Sequence, residues 1–255
     1  MNSNFLEILI LSIVQGISEF LPISSSAHLF LVSEIYKFKS QSLLVDVGLH
    51  LGSLLAIIFY FRNELKEIVN NKNLFFLMVL GSLPVIILGA IIYKTGLINY
   101  FRNVEVIAWT TLIFALLLYI ADKFENKKKI ETDLELKSIL IIGVFQTLAL
   151  VPGVSRSGIV ITAGRFLNFS RYDSTKISFY LSIPAIAGAS FLSLKSLVDK
   201  NIDLNLIVLV SILLSFIFSY LTIKYFLIFV KKFTLSTFVI YRIILSAILF
   251  LTIYT

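Results

Sequence analysis

Gln15 to Ala27 reads QGISEFLPISSSA, and Gln146 to Gly158 reads QTLALVPGVSRSG. An offset of 131 puts Gln15 on Gln146, Ile23 on Val154, Ser24 on Ser155 and Ser26 on Ser157, with Pro22 and Pro152 one residue out of step. Each polar knot lies between two short apolar runs, residues 5–21 and 27–36 around the first and 138–151 and 158–167 around the second. A bilayer span needs about 20 mostly apolar helical residues. These runs are short or carry polar groups (Glu7, Gln15, Ser18 and Glu19 in the first). A short helix, a Ser/Pro/Gly break and a second short helix predict a re-entrant hairpin. Irregular backbone at membrane depth is tolerated only inside protein or along a polar cavity.

Six runs beyond the knots are long enough to span: 43–61, 74–93, 104–121, 177–194, 205–230 and 235–254. Hydrophobic residues make up 58% of the 255 and charged ones 15%, against ~45–50% and ~25% in soluble domains. Mean hydropathy is +0.95. The expected fold is an all-α polytopic membrane protein, one membrane domain over residues 1–255. It divides into repeat one (about 1–122), a charged linker (about 123–137) and repeat two (about 138–255). Three spans follow each hairpin, and an odd number of crossings inverts the second unit relative to the first. Inverted repeats with broken helices place their polar site near the midplane, at the repeat interface. Pro84 and Pro184, in LGSLPVIILGA and YLSIPAIAGA, read as tolerated helix kinks.

The formal charge is +7, with no cysteine. Disulfides, thiolate metal sites and cysteine nucleophiles are excluded. No basic cluster is interleaved with stacking aromatics, so the charge points to lipid headgroups and not to nucleic acid. No cleavable signal peptide is expected. With both ends of each hairpin on one side, one face holds Lys37, Lys39, Lys94, Arg102, Lys195 and Lys200, against fourteen basic residues on the other, Arg165 among them. The positive-inside rule makes the richer face cytoplasmic and places both termini outside.

Gln15 and Glu19 are four apart and share a helix face. An intramembrane carboxylate is a functional hypothesis by default, whereas Gln15 can equally be interhelical hydrogen-bond glue. Ser24, Ser25 and Ser26 precede an apolar run, as N-caps do, and a helix N-terminus also binds anions. His28 is a candidate acid or base, because an unperturbed histidine titrates near neutral pH. In the second knot Gly153 and Gly158 permit close backbone approach to a ligand. Arg156 carries a planar fork that matches phosphate and is the one Arg or Lys expected at hairpin depth. Arg242, inside the last span, is expected to snorkel or to pair with a carboxylate. Asp46 and His50, i and i+4, can face the same cavity. Together these groups form a site for a phosphate-bearing ligand that enters from lipid. The chain contains no GxxxxGK[ST], GxGxxG or HExxH motif.

QGISEFLPISSSAHL (Gln15–Leu29), LHLGSLLAI (Leu49–Ile57) and PGVSRSG (Pro152–Gly158) resemble the undecaprenyl-diphosphate phosphatase family, the bacterial bacitracin-resistance proteins. The likeness runs nearly the whole chain, Ser170–Ala189 included. It implies two inverted repeats with re-entrant helix pairs in the bacterial inner membrane. The implied reaction removes the terminal phosphate of undecaprenyl diphosphate, regenerating the carrier for cell-wall synthesis. The family's serine, histidine and arginine match Ser25, His28 and Arg156. Its first motif, an acid or amide followed by Glu four residues on, matches Gln15 and Glu19. With Gln15 in place of an acid, Glu19 must carry more of the metal binding, or Asp46 must help. Many relatives have Gln where this chain has His50.

The mechanism these residues imply is metal-assisted phosphoryl transfer. Gln15, Ser24, Ser26, Gly153, Ser155 and Ser157 contact the diphosphate. Glu19, with Asp46, holds Mg²⁺ or Ca²⁺. Ser25 attacks phosphorus or orients a water, His28 relays the proton, and Arg156 stabilises the transferred phosphoryl oxygens. The partners are the polyprenyl diphosphate and membrane lipids. A homodimer is compatible with the sequence, which leaves the oligomeric state open. The competing class is a polyprenyl-phosphate flippase or secondary transporter, which needs no nucleophile.

Overall fold

Polar residues that accept from the free N–H groups of a first turn start three of the long apolar helices. Ser42 caps α3 (Leu43–Tyr60), Asn71 caps α5 (Lys72–Thr95) and Asn103 caps α7 (Val104–Asp122). Gly96, at φ 68°, ends α5 in the left-handed conformation. The computed structural model describes residues 2–36, 38, 42–101, 103–125, 127–198 and 206–254. The other helices are α1 (Asn2–Ser18), α2 (Ser25–Tyr36), α4 (Arg62–Asn70), α6 (Ile98–Phe101), α8 (Ile130–Asp133) and α9 (Leu136–Thr147). They continue with α10 (Arg156–Phe166), α11 (Arg171–Val198), α12 (Leu206–Lys232) and α13 (Ser236–Tyr254). Among the described residues α3, α5, α7, α11, α12 and α13 are long and apolar enough to cross a membrane, and the shorter apolar helices lie in α1 and α9. The fold is therefore all-helical with six candidate spans.

The expected run 177–194 begins six residues earlier, at Arg171. Its polar first turn is helical because Ser170 Oγ accepts from Asp173 N at 3.0 Å and Arg171 Nε donates to Asp122 Oδ1 at 2.6 Å. Pro84 and Pro184 sit inside unbroken α5 and α11. Arg165, counted with the solvated loop charges, is wholly buried. It donates to the carbonyls of Asp122, Phe124, Glu125 and Phe169 and ties the linker to the end of α10. Lys37, Lys39, Arg102 and Lys200 lie outside the described residues, and the loop 195–203 is described only as far as 198.

Glycines let the helices approach closely across the two halves. A Cβ on Gly16 of α1 would come within 2.5 Å of Phe218 Cβ on α12. One on Gly143 of α9 would come within 2.5 Å of Gly81 O on α5. In lipid no hydrophobic force pulls helices together, so such backbone contact and buried hydroxyls hold the interface. Thus α1 packs on α12, α9 packs on α5, and α7 packs on α13. Ser53 of α3 joins the first seam, 3.1 Å from Ser215 Oγ and accepting from Ser219 Oγ at 2.9 Å.

Candidate active site

The backbone breaks where Pro22 and Pro152-Gly153 interrupt the apolar runs. Residues 19–24 separate α1 from α2; a short 3-10 turn at Leu148–Leu150 and residues 151–155 separate α9 from α10. Ser24 has φ 74° and Ser155 φ 71°. These aligned serines share a left-handed conformation rare outside glycine. Each then starts a helix. Ser155 Oγ accepts from Gly158 N at 3.1 Å, while Ser24 Oγ lies 3.4 Å from Ser26 Oγ and Ser155 Oγ lies 3.2 Å from Ser157 Oγ.

Broken helices leave carbonyls that need donors. Ser157 Oγ donates to Leu21 O at 2.6 Å, binding the second knot to the first. Thr110 Oγ1 of α7 lies 2.7 Å from Pro152 O. A Cβ on Gly153 would overlap that hydroxyl at 2.1 Å, and φ there is +89°, so glycine is required. Arg242 departs from the sequence expectation. It does not snorkel, and among the described residues it pairs with no carboxylate; fully buried, it donates to Pro22 O (3.4 Å), Gly153 O (3.0 Å) and Val154 O (3.1 Å). Two arginines therefore serve the breaks where one was expected.

Glu19 is the hub of the polar groups. Its Oε1 accepts from Arg156 Nη2 at 3.0 Å. Its Oε2 accepts from Ser25 Oγ at 2.6 Å and from Gln15 Nε2 at 3.2 Å. Arg156 also donates to Ser178 O on α11 at 3.2 Å. These side chains border a cavity of about 220 Å³ lined by Ser18, Glu19, Ser24, Ser25, Ser26, His50, Ser155 and Arg156 on its polar side. Gln15, His28, Asp46, Gly153 and Ser157 are not among the lining residues. Gln15 instead braces Glu19 and reaches Ser53 Oγ at 3.5 Å. The ring nitrogens of His28 contact Ser24 O (2.7 Å) and Tyr241 OH (2.6 Å). Asp46 lies one turn before His50, whose Nδ1 is 2.8 Å from Asp46 O.

The cavity opens into an apolar groove of about 640 Å³ between α5 and α11, and Val85, Leu150, Ala185 and Ala189 line both. Gly89, Ala90 and Gly188 leave the groove its width, and Phe191 stands at its edge, 68% exposed. Next to Glu19 in the chain, the fully buried Phe20 packs edge-on against Phe179 at 5.4 Å, and Phe179 against Phe61 at 6.0 Å. Tyr180, edge-on to Phe61 at 5.2 Å, lines a separate cavity with Glu64, Glu67 and Glu131.

Sequence reasoning gave Arg242 the wrong partners and missed Tyr241 and Ser53. An arginine in an otherwise apolar span, with no acidic residue in α13, was the signal available for the first.

Fold and site together define a class: a helical membrane protein of six candidate spans whose two broken helices meet at a buried serine–arginine–glutamate cavity beside an apolar groove. The family model for bacitracin resistance protein BacA matches residues 8–248, and the chain belongs to that family. It is 60% identical over 255 residues, the full length of both chains, to the undecaprenyl-diphosphatase of Pelagibacter ubique (strain HTCC1062). It is 42% identical over 252 residues to that of Elusimicrobium minutum (strain Pei191), covering 95% of this chain and 96% of the relative. With that of Saccharophagus degradans it shares 39% identity over 260 residues, 97% of each chain.

Proposed function

We propose that this protein is an integral-membrane phosphatase that hydrolyses undecaprenyl diphosphate to undecaprenyl phosphate and inorganic phosphate, and so supports cell-wall synthesis and bacitracin resistance. One observation carries the reading: Ser25 Oγ is hydrogen-bonded to Glu19 at 2.6 Å in a cavity that also holds Arg156 and runs into an apolar groove. The groove takes the proximal part of the prenyl tail, and the cavity takes the diphosphate. Relatives named undecaprenyl-diphosphatase support the same substrate.

Ser24, Ser26 and Ser155 offer hydroxyls to the phosphate oxygens from the N-termini of α2 and α10, where unpaired N–H groups favour anions. Ser25 attacks the terminal phosphorus, or orients a water that does; Glu19 accepts the nucleophile's proton, the bridging P–O bond breaks and undecaprenyl phosphate leaves, and on the serine route water then cleaves the phosphoserine to inorganic phosphate. Arg156 stabilises the charge on the transferred oxygens, the role in which arginine is strongest. Its pair with Glu19 aims the guanidinium into the cavity before substrate arrives. His28 holds the carbonyl of Ser24, shapes the first break and passes protons towards Tyr241.

The donor set fits a hard cation. Mg²⁺ binds through one or two carboxylates together with substrate phosphates and waters, and Glu19 is the carboxylate lining the cavity. Among the described residues no three His, Cys, Asp or Glu side chains converge on one metal position. Glu19 would hold Mg²⁺ or Ca²⁺ with the diphosphate itself, Asp46 acting from outside the lining. The ion supplies charge neutralisation at the phosphoryl group.

In the same reading each hairpin is re-entrant and the two halves are inverted repeats in the bacterial inner membrane. The reciprocal packing of α1 on α12 and α9 on α5, and the matched φ of Ser24 and Ser155, support a two-fold relation. Loop charge favours both termini outside. The rings of Phe20, Phe61 and Phe179, with an acidic cavity beyond them, favour entry and exit of phosphate on the Ser25 side over transport through the molecule.

The test is phosphate release from a long-chain prenyl diphosphate by the protein purified in detergent. Mg²⁺, Ca²⁺ and chelator are compared, with Ser25→Ala alongside. Metal-dependent release that is lost in Ser25→Ala supports the phosphatase. A folded wild-type protein that binds the lipid without releasing phosphate defeats it in favour of the transporter.

A further inference from the structure

Each broken helix frees carbonyls inside the packed protein, and a buried carbonyl needs a donor. Of those freed by the two breaks, Leu21 O is met by Ser157, Pro152 O by Thr110, and Ser24 O by His28. Pro22 O, Gly153 O and Val154 O receive a single side chain, Arg242, with Thr111 Oγ1 reaching Gly153 O at 3.5 Å.

Arg242 comes from α13, outside both knots. Its fork holds one carbonyl of the first break and two of the second. The bound carbonyls lie one or two residues before Ser24 and Ser155, both at positive φ, as Gly153 itself is. Its helix is fixed to α7 by Ser246 Oγ, which donates to Ala108 O at 2.9 Å. A Cβ on Gly158 would come within 3.2 Å of Arg242 Nη1, so the start of α10 rests on the guanidinium. No carboxylate lies within ion-pair distance of Arg242 among the described residues. A buried guanidinium needs such compensation, and here carbonyls provide it at Nη1 and Nη2, while Nε has no hydrogen-bond partner among the described residues.

We infer that Arg242 is a positioning residue that locks the two breaks against each other, and thereby sets the distance between Ser25 on one and Arg156 on the other. Arg242 does not line the cavity, so it acts through the backbone and not on phosphate. The inference rests on the phosphatase reading for its kinetic consequence but not for its geometric one.

The experiment therefore has two arms, on the full-length chain in detergent, with Arg242→Ala and Arg242→Lys. The kinetic arm measures phosphate release from a polyprenyl diphosphate. A misplacement of about 1 Å can cost ~10²-fold in rate, so Arg242→Ala should lose roughly that in kcat with KM nearly unchanged. Arg242→Lys, which keeps the charge but not the fork, should fall between it and wild type. The geometric arm uses the absence of native cysteine. Spin labels on cysteines at the exposed positions Ile17 and Leu148 report the separation of the helices that lead into the breaks. The distance distribution should broaden or shift in Arg242→Ala.

An unchanged distribution in both variants overturns the inference. So does a kcat per folded molecule equal to wild type, even with lowered thermal stability, or a loss confined to KM. If Arg242→Ala does not fold, Arg242→Lys carries both readouts. If wild type releases no phosphate, the function reading fails alone and the distance arm still decides.

Discussion

Glu19→Gln tests the carboxylate, as proton acceptor and as the group that would hold the cation, with minimal change of shape. Arg156 donates to Oε1 at 3.0 Å and Ser25 to Oε2 at 2.6 Å; the amide keeps one oxygen for Arg156 and turns its NH2 to Ser25 Oγ, which must rotate to accept. What it loses is the charge. Hydrogen bonds to a charged group are worth ~1.5–3 kcal/mol and neutral ones ~0.5–1.5 kcal/mol, so two such bonds weaken the fold by about 2–3 kcal/mol in all. That is within what a helical membrane protein of this size tolerates, and lipid binding should persist. Turnover should not. Removing a general base costs ~10²–10⁴-fold, or about 2.7–5.5 kcal/mol of barrier. The assay is phosphate release at saturating prenyl diphosphate and Mg²⁺, with lipid binding measured in parallel. The fall should be in kcat, with lipid affinity within a few-fold of wild type. A kcat within about fivefold of wild type would refute the assignment of Glu19 as the acceptor, because no positioned base is that dispensable.

Arg156→Lys should be nearly as inactive as Arg156→Ala, by ~10³-fold or more in phosphate release, because a point charge cannot serve Glu19, Ser178 O and phosphate with one fork. Ser155→Gly should retain nearly full thermal stability, losing a few tenths of a kcal/mol, whereas Ser155→Ala should lose about 0.5–2 kcal/mol from the missing cap, since serine already bears the cost of a Cβ at φ 71°. Gly143→Ala drives a methyl group onto Gly81 O and should lower stability by about 1–3 kcal/mol in a thermal melt, the usual cost of overpacking. Tyr241→Phe removes one partner of His28 and should cost about 0.5–1.5 kcal/mol, with phosphate release reduced less than in Arg242→Ala.

The breaks were legible because proline, glycine and serine interrupt an apolar run in few ways compatible with lipid, and the spans because their length matches the bilayer. Glu19 and Arg156 were legible as charges with no other reason to be at that depth. The left-handed backbone at Ser24 and Ser155 could not be read, since serine does not announce positive φ as glycine does. Arg242 was visible but misread. A lone arginine in a span suggests snorkelling until the carbonyls freed by two distant breaks are known to lie beside it, and that neighbourhood exists only after α13 packs on α7. Arg165 was misread for the same reason: its partners are the carboxylate of Asp122 and the backbone carbonyls of Asp122, Phe124, Glu125 and Phe169, and the carbonyls carry no mark in the sequence.

The packing of α1 on α12 also bears on the order in which the chain is made. Gly16 is synthesised 202 residues ahead of its neighbour Phe218 and 203 ahead of Ser219. At ~5–20 residues per second the interval is about 10–40 s. During that time the first hairpin holds Gln15 and Glu19 without Arg156 or the α12 serines. The first half-site must therefore wait, unfinished, in the insertion machinery or the membrane until the last two spans arrive.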